Sequence, residues 1–588
     1  MTDSAVPAGR DRVSTVVVSG DVTIDWNLAR TRKLVDGGAV WNSEDRTETY
    51  GGPGGAAVLA RLVEEVGGTL ADEGLAVEVT GPPGPQGSIS PGDPRFYHSY
   101  AVWSQYPRRK GDRDRGVWRV DEFLGLDRAR TPQGAADGND RIGSPAEADL
   151  VIVDDANLGF RDSSELWPPA LRLTTNPGAT AAHPAKSGAN SPWVVLKMAR
   201  PVAAGDLWRQ LLRRHAGRLI VVMTLNDLRL SEVKISRELS WERTAGDLAR
   251  ELIRHPAVNG LTRCAHVVVS LGTGGAVLLS RKDALAGSPE HLDQPDCHVI
   301  FDPESIENSW ADQYPGSMIG YTTCLVAGIA RELILAPDSP DVQRGVRHGL
   351  ATGRALHLGG YGDPDREPGR AGLVFPVAAM AKELQKEPRD FATAHIERPV
   401  LDSWSILESR YPEGLEPVAE AVARDGVETA LSGVPLGRFG KLLTLDRGEI
   451  EGFRSLRALM REYDSEPAAR PLNLAVFGPP GAGKSFGVKA VAESALDKER
   501  IQDVTFNLSQ MRDASDLADA LHQVRDIALL GKLPFVLWDE FDSDLGGKAF
   551  GWLRHFLAPC RTAPSSRARS SIRSARRSSS SPAAPAPG

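Results

Sequence analysis

Asn473-Leu-Ala-Val-Phe-Gly-Pro-Pro-Gly-Ala-Gly-Lys-Ser485 is an apolar run followed at once by the pattern GxxxxGK[ST], and its reading sets the fold expected of the C-terminal part of the chain. The apolar residues predict a strand over 473–477, and the residues after Ser485 are able to form a helix. Between strand and helix, Gly478, Gly481 and Gly483 let the backbone curl so that successive N–H groups point inward at phosphate oxygens, with the positive end of the helix behind them. Pro479, Pro480 and Ala482 complete the loop. Lys484 is placed to reach the β- and γ-phosphates of a nucleotide, and the Ser485 hydroxyl to ligate magnesium. The expected ligands are ATP and Mg2+.

A second element supports that expectation. Pro534-Phe-Val-Leu-Trp-Asp-Glu540 predicts a buried strand ending in two carboxylates. Asp539 falls 55 positions after Lys484 (539 − 484), room for a helix, a strand over Val504–Leu508 and a helix over Ser515–Leu530. In this setting Asp539 is expected to hold magnesium and Glu540 to polarise an attacking water as general base, with Lys484 assisting catalysis.

GPPGAGKS followed by an apolar strand ending in Asp-Glu resembles the AAA-type ATPase family over roughly residues 466–558. The resemblance implies ATP hydrolysis, with self-association as a further implication. The family continues with a strand bearing a polar sensor residue, an arginine finger and a helical lid, none of which can be found here. The sensor strand would lie between the phosphate-loop strand and the Asp-Glu strand, so its absence leaves those two without their shared neighbour, and unpaired buried backbone groups are costly. The text changes near Cys560 from an amphipathic stretch, Lys548–Leu557, to Arg, Ser, Ala and Pro. That change suggests a truncated or frame-shifted ATPase.

Working back along the chain, residues 13–372 alternate β-branched runs with helical segments, the pattern of βαβ units around a mainly parallel sheet. Strands are predicted over Val16–Ser19, Leu150–Val153, Trp193–Leu196, Leu219–Met223 and His266–Ser270. Gly/Pro-rich text around Gly81–Gly92 and Thr174–Pro192 predicts surface loops. Residues 373–465 read as a charged helical connector, with Arg454–Tyr463 its clearest amphipathic piece. Residues 559–588 read as a disordered tail. The expected fold is therefore α/β, a doubly wound domain followed by a helical connector and a truncated P-loop NTPase domain.

Val16-Val-Val-Ser-Gly-Asp-Val-Thr-Ile-Asp25, Gly51-Gly-Pro-Gly-Gly-Ala-Ala57 and a late Gly-rich helix start are similar to the ribokinase-like family of carbohydrate and nucleoside kinases. The resemblance implies that Asp25, Gly51 and Gly52 hold substrate hydroxyls. It also implies a GAGD motif with a basic aspartate, which aligns here on Gly320-Tyr-Thr-Thr323, and an NxxE element, which aligns on Asn226-Asp-Leu-Arg229. A threonine hydroxyl cannot act as base at neutral pH, and Arg229 reverses the charge of the expected acid. The combination points to a pocket kept and phosphoryl transfer lost.

Bulk properties narrow the rest. A chain of 588 residues calls for two or three domains, and 41% hydrophobic content can fill them. A formal charge of −8 with pI near 5.9 gives no broad basic footprint for nucleic acid. Cys264, Cys297, Cys324 and Cys560 lie far apart with no CxxC pair, arguing against a disulfide framework or a cysteine zinc site and fitting a reducing cytoplasm. No apolar run is long enough for a membrane span. The stretch from Trp103 to Trp118 and Arg119 interleaves aromatic and basic residues, as base-stacking segments do, but Asp112 and Asp114 favour a solvated hairpin. His215, His266 and His555 show no ligand spacing and read as packing or surface positions. The preferred functional reading is an ATP-driven AAA-type ATPase coupled to a ligand-sensing N-terminal domain. The alternatives are a carbohydrate or nucleoside kinase and a non-catalytic ATP-dependent sensor.

Overall fold

Runs such as Val16-Val-Val18 and Val194-Val-Leu196 can be strands only where a sheet is covered on both faces, and that is how the chain uses them. The computed structural model describes residues 13–556 except 31–32, 36–37, 41–46, 85–88, 111, 113–115, 128–147, 173–190, 282–294, 305–309, 311–312, 363–371, 389–390, 397–403, 466–470, 479–480, 482 and 497–498. The proposed tail at 559–588, Cys560, most of the Thr174–Pro192 loop, and Pro479, Pro480 and Ala482 fall outside the described residues. The chain separates into two compact units, Met1–Pro435 and Leu436–Gly588.

The first unit is built on a nine-stranded sheet. From one edge its strands run Val77–Thr80, Ser14–Gly20, Leu150–Asp155, Trp193–Met198, Leu219–Thr224 and His266–Ser270, all parallel, and then Gly275–Ser280, Asp296–Phe301 and Ala392–Ile396, each antiparallel to the one before. Each strand sends alternate residues to opposite faces. Val16, Val18, Ile152, Val195 and Val222 pack under the helices Ala56–Asp72, Tyr321–Leu335 and Val342–Gly359. Val151, Val153, Val194, Leu196 and Val221 pack under Asp206–Arg214 and Trp241–Arg254. The result is a mixed α/β fold with the sheet sandwiched between helices. A second sheet of four strands, in the order Thr47–Gly55, Val22–Arg30, Tyr97–Tyr106 and Val117–Asp127, lies in the same unit.

Two expectations change here. The described residues of 373–465 are not uniformly helical: Ala392–Ile396 is the edge strand of the large sheet, and Gly437–Phe439 pairs with Leu442–Thr444 in a hairpin of the second unit. Strand formation at 392–396 is decided by an available partner edge, which local composition does not reveal. The aromatic-basic stretch belongs to a hairpin, as preferred, but its aromatic residues are not solvated. Trp103 and Trp118 are buried; Trp103 Nε1 donates to Asn27 Oδ1 at 2.7 Å, and Arg119 donates to the His357 and Pro315 carbonyls at 2.8 and 2.7 Å.

In the second unit, strands Ile501–Asn507 and Leu533–Asp539 pair in parallel, joined by the helix Ala514–Leu529. Residues 471–478 join no strand ladder. The strand predicted at 473–477 is thus absent, and Phe477 is 90% exposed. A β-strand is a property of a pair, and among the described residues no strand pairs with this segment. Lys548–Leu557 is likewise not one helix: turns fill 546–547 and 549–552, with positive φ at Gly546, Gly547 and Phe550, before a helical turn at 553–556.

Candidate functional site

In an open α/β sheet, ligands gather outside the carboxyl ends of the strands where the strand order reverses. Here Ser14–Gly20 is followed by Val77–Thr80 on one side and Leu150–Asp155 on the other, so the reversal lies beside Gly20. Asp21, Asp154, Asp155 and Lys197 all stand at this edge.

Two of these groups are structural. The buried Asp21 carboxylate accepts backbone N–H groups from Ala156, Leu158 and Phe160 at 2.9–3.1 Å, pinning the loop after Leu150–Asp155. Burial, with Asp155 nearby, still lifts its pKa to about 7 against those hydrogen bonds. Asp155 is held by the buried guanidinium of Arg161, Nε to Oδ1 at 2.9 Å.

Of the remaining groups, Asp154 is buried, whereas Lys197 and Asp25 are partly exposed. Lys197 Nζ lies 2.7 Å from Asp154 Oδ2 and is partly exposed, at 22%. Asp25 sits on Val22–Arg30, directly opposite Gly52 on one neighbouring strand and Ser99 on the other. It accepts from Thr23 Oγ1 at 2.8 Å. Burial raises its pKa to about 6, opposed by the Thr23 hydrogen bond and the Lys197 charge, so it is mostly ionised at pH 7 and competent to accept a hydroxyl proton. The glycine run opposite is demanded by close approach: a Cβ on Gly54 would lie 2.1 Å from Asp25 Oδ1 and 2.3 Å from Thr23 Oγ1.

The first turn of the helix Tyr321–Leu335 lies within electrostatic reach of Lys197 at this edge. Cys324, in its first turn, has its thiol pushed up to about 12 by burial, partly offset by the Lys197 charge. Tyr361 feels both Asp25 and Cys324. Asp25, Lys197, Tyr361 and the helix start therefore share one electrostatic neighbourhood. Thr323 is buried in the first turn after Gly320. Arg229 lies in the short helix Leu225–Leu230 and donates its guanidinium to the Ile235 and Ser236 carbonyls, closing a local turn. Lys197, Asp154 and Ser99 were not singled out from sequence; strand register sets Ser99 opposite Asp25 and pairs Lys197 with Asp154, and the fold brings that pair within electrostatic reach of Asp25.

Gly481 and Gly483 of the predicted phosphate loop precede the helix Lys484–Ala495, which Lys484 and Ser485 begin. Gly481 and Gly483 have φ of 77° and 72°, with open space where a Cβ would stand, a backbone curl of the kind that cups an anion. Lys484 Nζ donates to the Gly478 carbonyl at 2.6 Å, so the lysine folds over its own loop. Ser485 is exposed. Asp539 ends the Leu533–Asp539 strand, and Glu540 follows with φ of 52° and its N–H donating to Asp539 Oδ1 at 3.0 Å. The loop residues, Ser485 and Asp539 are of the right types to cradle phosphate and hold Mg2+.

His215 and His266 behave as packing residues: burial lowers each to about 4, and His266 Nδ1 lies 2.9 Å from Ser280 Oγ. No helix of the described residues is long and apolar enough to cross a membrane.

Solved structures to which the chain is similar include sugar kinases. It is similar to phosphofructokinase-2 from Escherichia coli in complex with fructose-6-phosphate, at 13% identity over 59% of this chain and 94% of that one, with a TM-score of 0.31. The tetrameric inhibited form of the same enzyme gives 13%, 59%, 95% and 0.32. A carbohydrate kinase from Agrobacterium tumefaciens gives 12%, 65%, 100% and 0.30. No family model and no curated protein matches the chain. Nothing in these comparisons bears on the AAA-type reading of the second unit.

Proposed function

We propose that the chain is a carbohydrate- or nucleoside-binding protein of the small-molecule kinase type. The observation that carries this reading is the half-buried Asp25 carboxylate, set between Gly52 and Ser99 and near the Lys197–Asp154 pair. Such an array suits vicinal hydroxyls: a carboxylate accepts two O–H donors, an ammonium donates back, and glycine backbone allows the close approach of a ring. Phosphoryl transfer follows as a second reading because Asp25, with its pKa near 6, could take the proton that Thr323 cannot. The acceptor oxygen would form the new bond to the γ-phosphorus of ATP, the β–γ bridging bond would break, and ADP would leave.

The second unit supplies a separate nucleotide site in this proposal. Gly478 to Ser485 would hold the phosphates of ATP, Ser485 and Asp539 the magnesium ion, and Glu540 the attacking water. Self-association and ATP hydrolysis are proposed on the AAA-type resemblance alone.

Binding of ribose, fructose 6-phosphate and adenosine to the full chain is expected to include at least one ligand of micromolar affinity. Asp25→Asn is expected to weaken it at least about 100-fold, the loss of a charge-assisted pair of hydrogen bonds worth roughly 1.5–3 kcal/mol each. Absence of any such ligand, or binding indifferent to Asp25→Asn in a folded protein, would remove the reading. Labelled phosphate appearing on the bound ligand and lost in Asp25→Asn decides for transfer; binding without label decides for a sensor.

For the second unit, Lys484→Ala is expected to reduce Mg-ATP affinity at least tenfold, while Glu540→Gln leaves affinity intact and removes any turnover. Equal Mg-ATP affinity in the wild type and Lys484→Ala, by titration calorimetry, contradicts the phosphate-loop assignment without touching the Asp25 site.

A further inference from the structure

Strand register brings His395 beside two side chains that lie nearly a hundred residues before it in the sequence. Asp296 and His298 are two residues apart on Asp296–Phe301 and so project from the same face. His395, on the edge strand Ala392–Ile396, is the cross-strand partner of His298 and joins them on that face. His395 Nε2 lies 2.5 Å from Asp296 Oδ1, and His298 Nδ1 lies 3.8 Å from Asp296 Oδ2. The two imidazole centroids are 4.9 Å apart, and one donor atom from each residue falls within 4.8 Å of the others.

Hydrogen bonding leaves this cluster incomplete. His298 Nδ1 is buried and has no hydrogen-bond partner among the described residues. A buried imidazole nitrogen without a partner is costly, and it lies beside a carboxylate and a second imidazole. We propose that Asp296, His298 and His395 form a binding site for a divalent transition-metal ion of the zinc class.

The geometry requires only small shifts. In tetrahedral zinc sites, bonds of about 2.0–2.2 Å set neighbouring donor atoms roughly 3.3 Å apart. The longest separation in the cluster must therefore close by roughly 1.5 Å, and the His395–Asp296 pair must open by about 1 Å, as the metal takes the place of the proton they share. His395 is the most exposed of the three, at 46%, and its side chain can rotate. Two imidazoles and one carboxylate leave the fourth position to water, a donor set that favours zinc, cobalt or nickel over calcium or magnesium. Bound there, the ion would staple the last strand of the sheet to its neighbour.

The test uses the full chain, stripped with chelator and titrated with ZnCl2, with CoCl2 as a spectroscopic probe. Expected are one zinc ion per chain at micromolar affinity, visible cobalt absorption of a four-coordinate site, and at least a tenfold affinity loss in both His395→Ala and Asp296→Asn. His395 being exposed, its removal should leave the fold intact, which far-UV circular dichroism of the apo variant checks. The proposal is overturned by no saturable zinc binding below 100 µM, by affinity unchanged in His395→Ala, or by the six-coordinate cobalt spectrum of a loosely held hydrated ion.

Discussion

Arg161→Ala is expected to destabilise the first unit by about 3–5 kcal/mol, the cost of leaving a buried carboxylate without its partner. Arg161 and Asp155 are 2% and 3% exposed, with Nε 2.9 Å from Oδ1. The remaining guanidinium nitrogens donate to the Pro201 and Ala199 carbonyls at 2.9 and 3.0 Å, so truncation also orphans two backbone acceptors. Burial already holds the Asp155 pKa above its ordinary value even with Arg161 in place, and the Asp155 charge adds to the rise at Asp21. Without the arginine, the carboxylates at this edge would face one another unscreened. Denaturant unfolding measures the loss. The double variant Arg161→Met with Asp155→Leu should recover much of it, since apolar pairs often replace buried ion pairs at little cost. A loss under about 1 kcal/mol in the single variant would show that water reaches Asp155.

Gly349→Val is expected to cost about 3 kcal/mol and to abolish ligand binding at the Asp25 site together with it. The helices Tyr321–Leu335 and Val342–Gly359 meet backbone to backbone: a Cβ at Gly349 would lie 2.5 Å from Leu325 Cα and 3.0 Å from the Cys324 carbonyl. No flexible side chain is there to move aside. The helices must separate, and the one that carries Thr323 and Cys324 to the carboxyl edge moves with them. Gly68→Ala is the control. It lies inside the helix Ala56–Asp72 with nothing within 4 Å of its new methyl, and should stabilise by roughly 0.5–1 kcal/mol. Thermal melts and ligand titration on the two variants separate them; an unperturbed Gly349→Val would mean that the helix crossing is looser than drawn.

The parallel half of the sheet was legible because its strands carry apolar residues on both faces, and runs such as Leu219–Met223 and His266–Ser270 have few other uses. Its antiparallel half was not. Gly275–Ser280 is a short apolar run that could serve a buried helix as well, and Ala392–Ile396 has the composition Ala-Thr-Ala-His-Ile, which announces nothing. Asp25 and the glycine run were singled out through the family resemblance, and the strand register sets them opposite one another. Asp154, Lys197 and Ser99 were not, because a strand-end charge acquires meaning only when register sets it beside another. The segment 473–477 shows the converse, with strand-forming residues and no strand, since composition supplies a tendency and a neighbour must supply the bonds.

The place of Ala392–Ile396 at the rim of the large sheet governs how the first unit can be made. A ribosome delivers Asp296–Phe301 long before the strand that flanks it, and residues 302–391 must emerge in between, including both helices of the glycine crossing. Until then that rim offers bare amides and carbonyls to any passing extended chain. Expression fragments stopped at 372 would keep the rim bare permanently and should precipitate, whereas fragments carried through 435 close it.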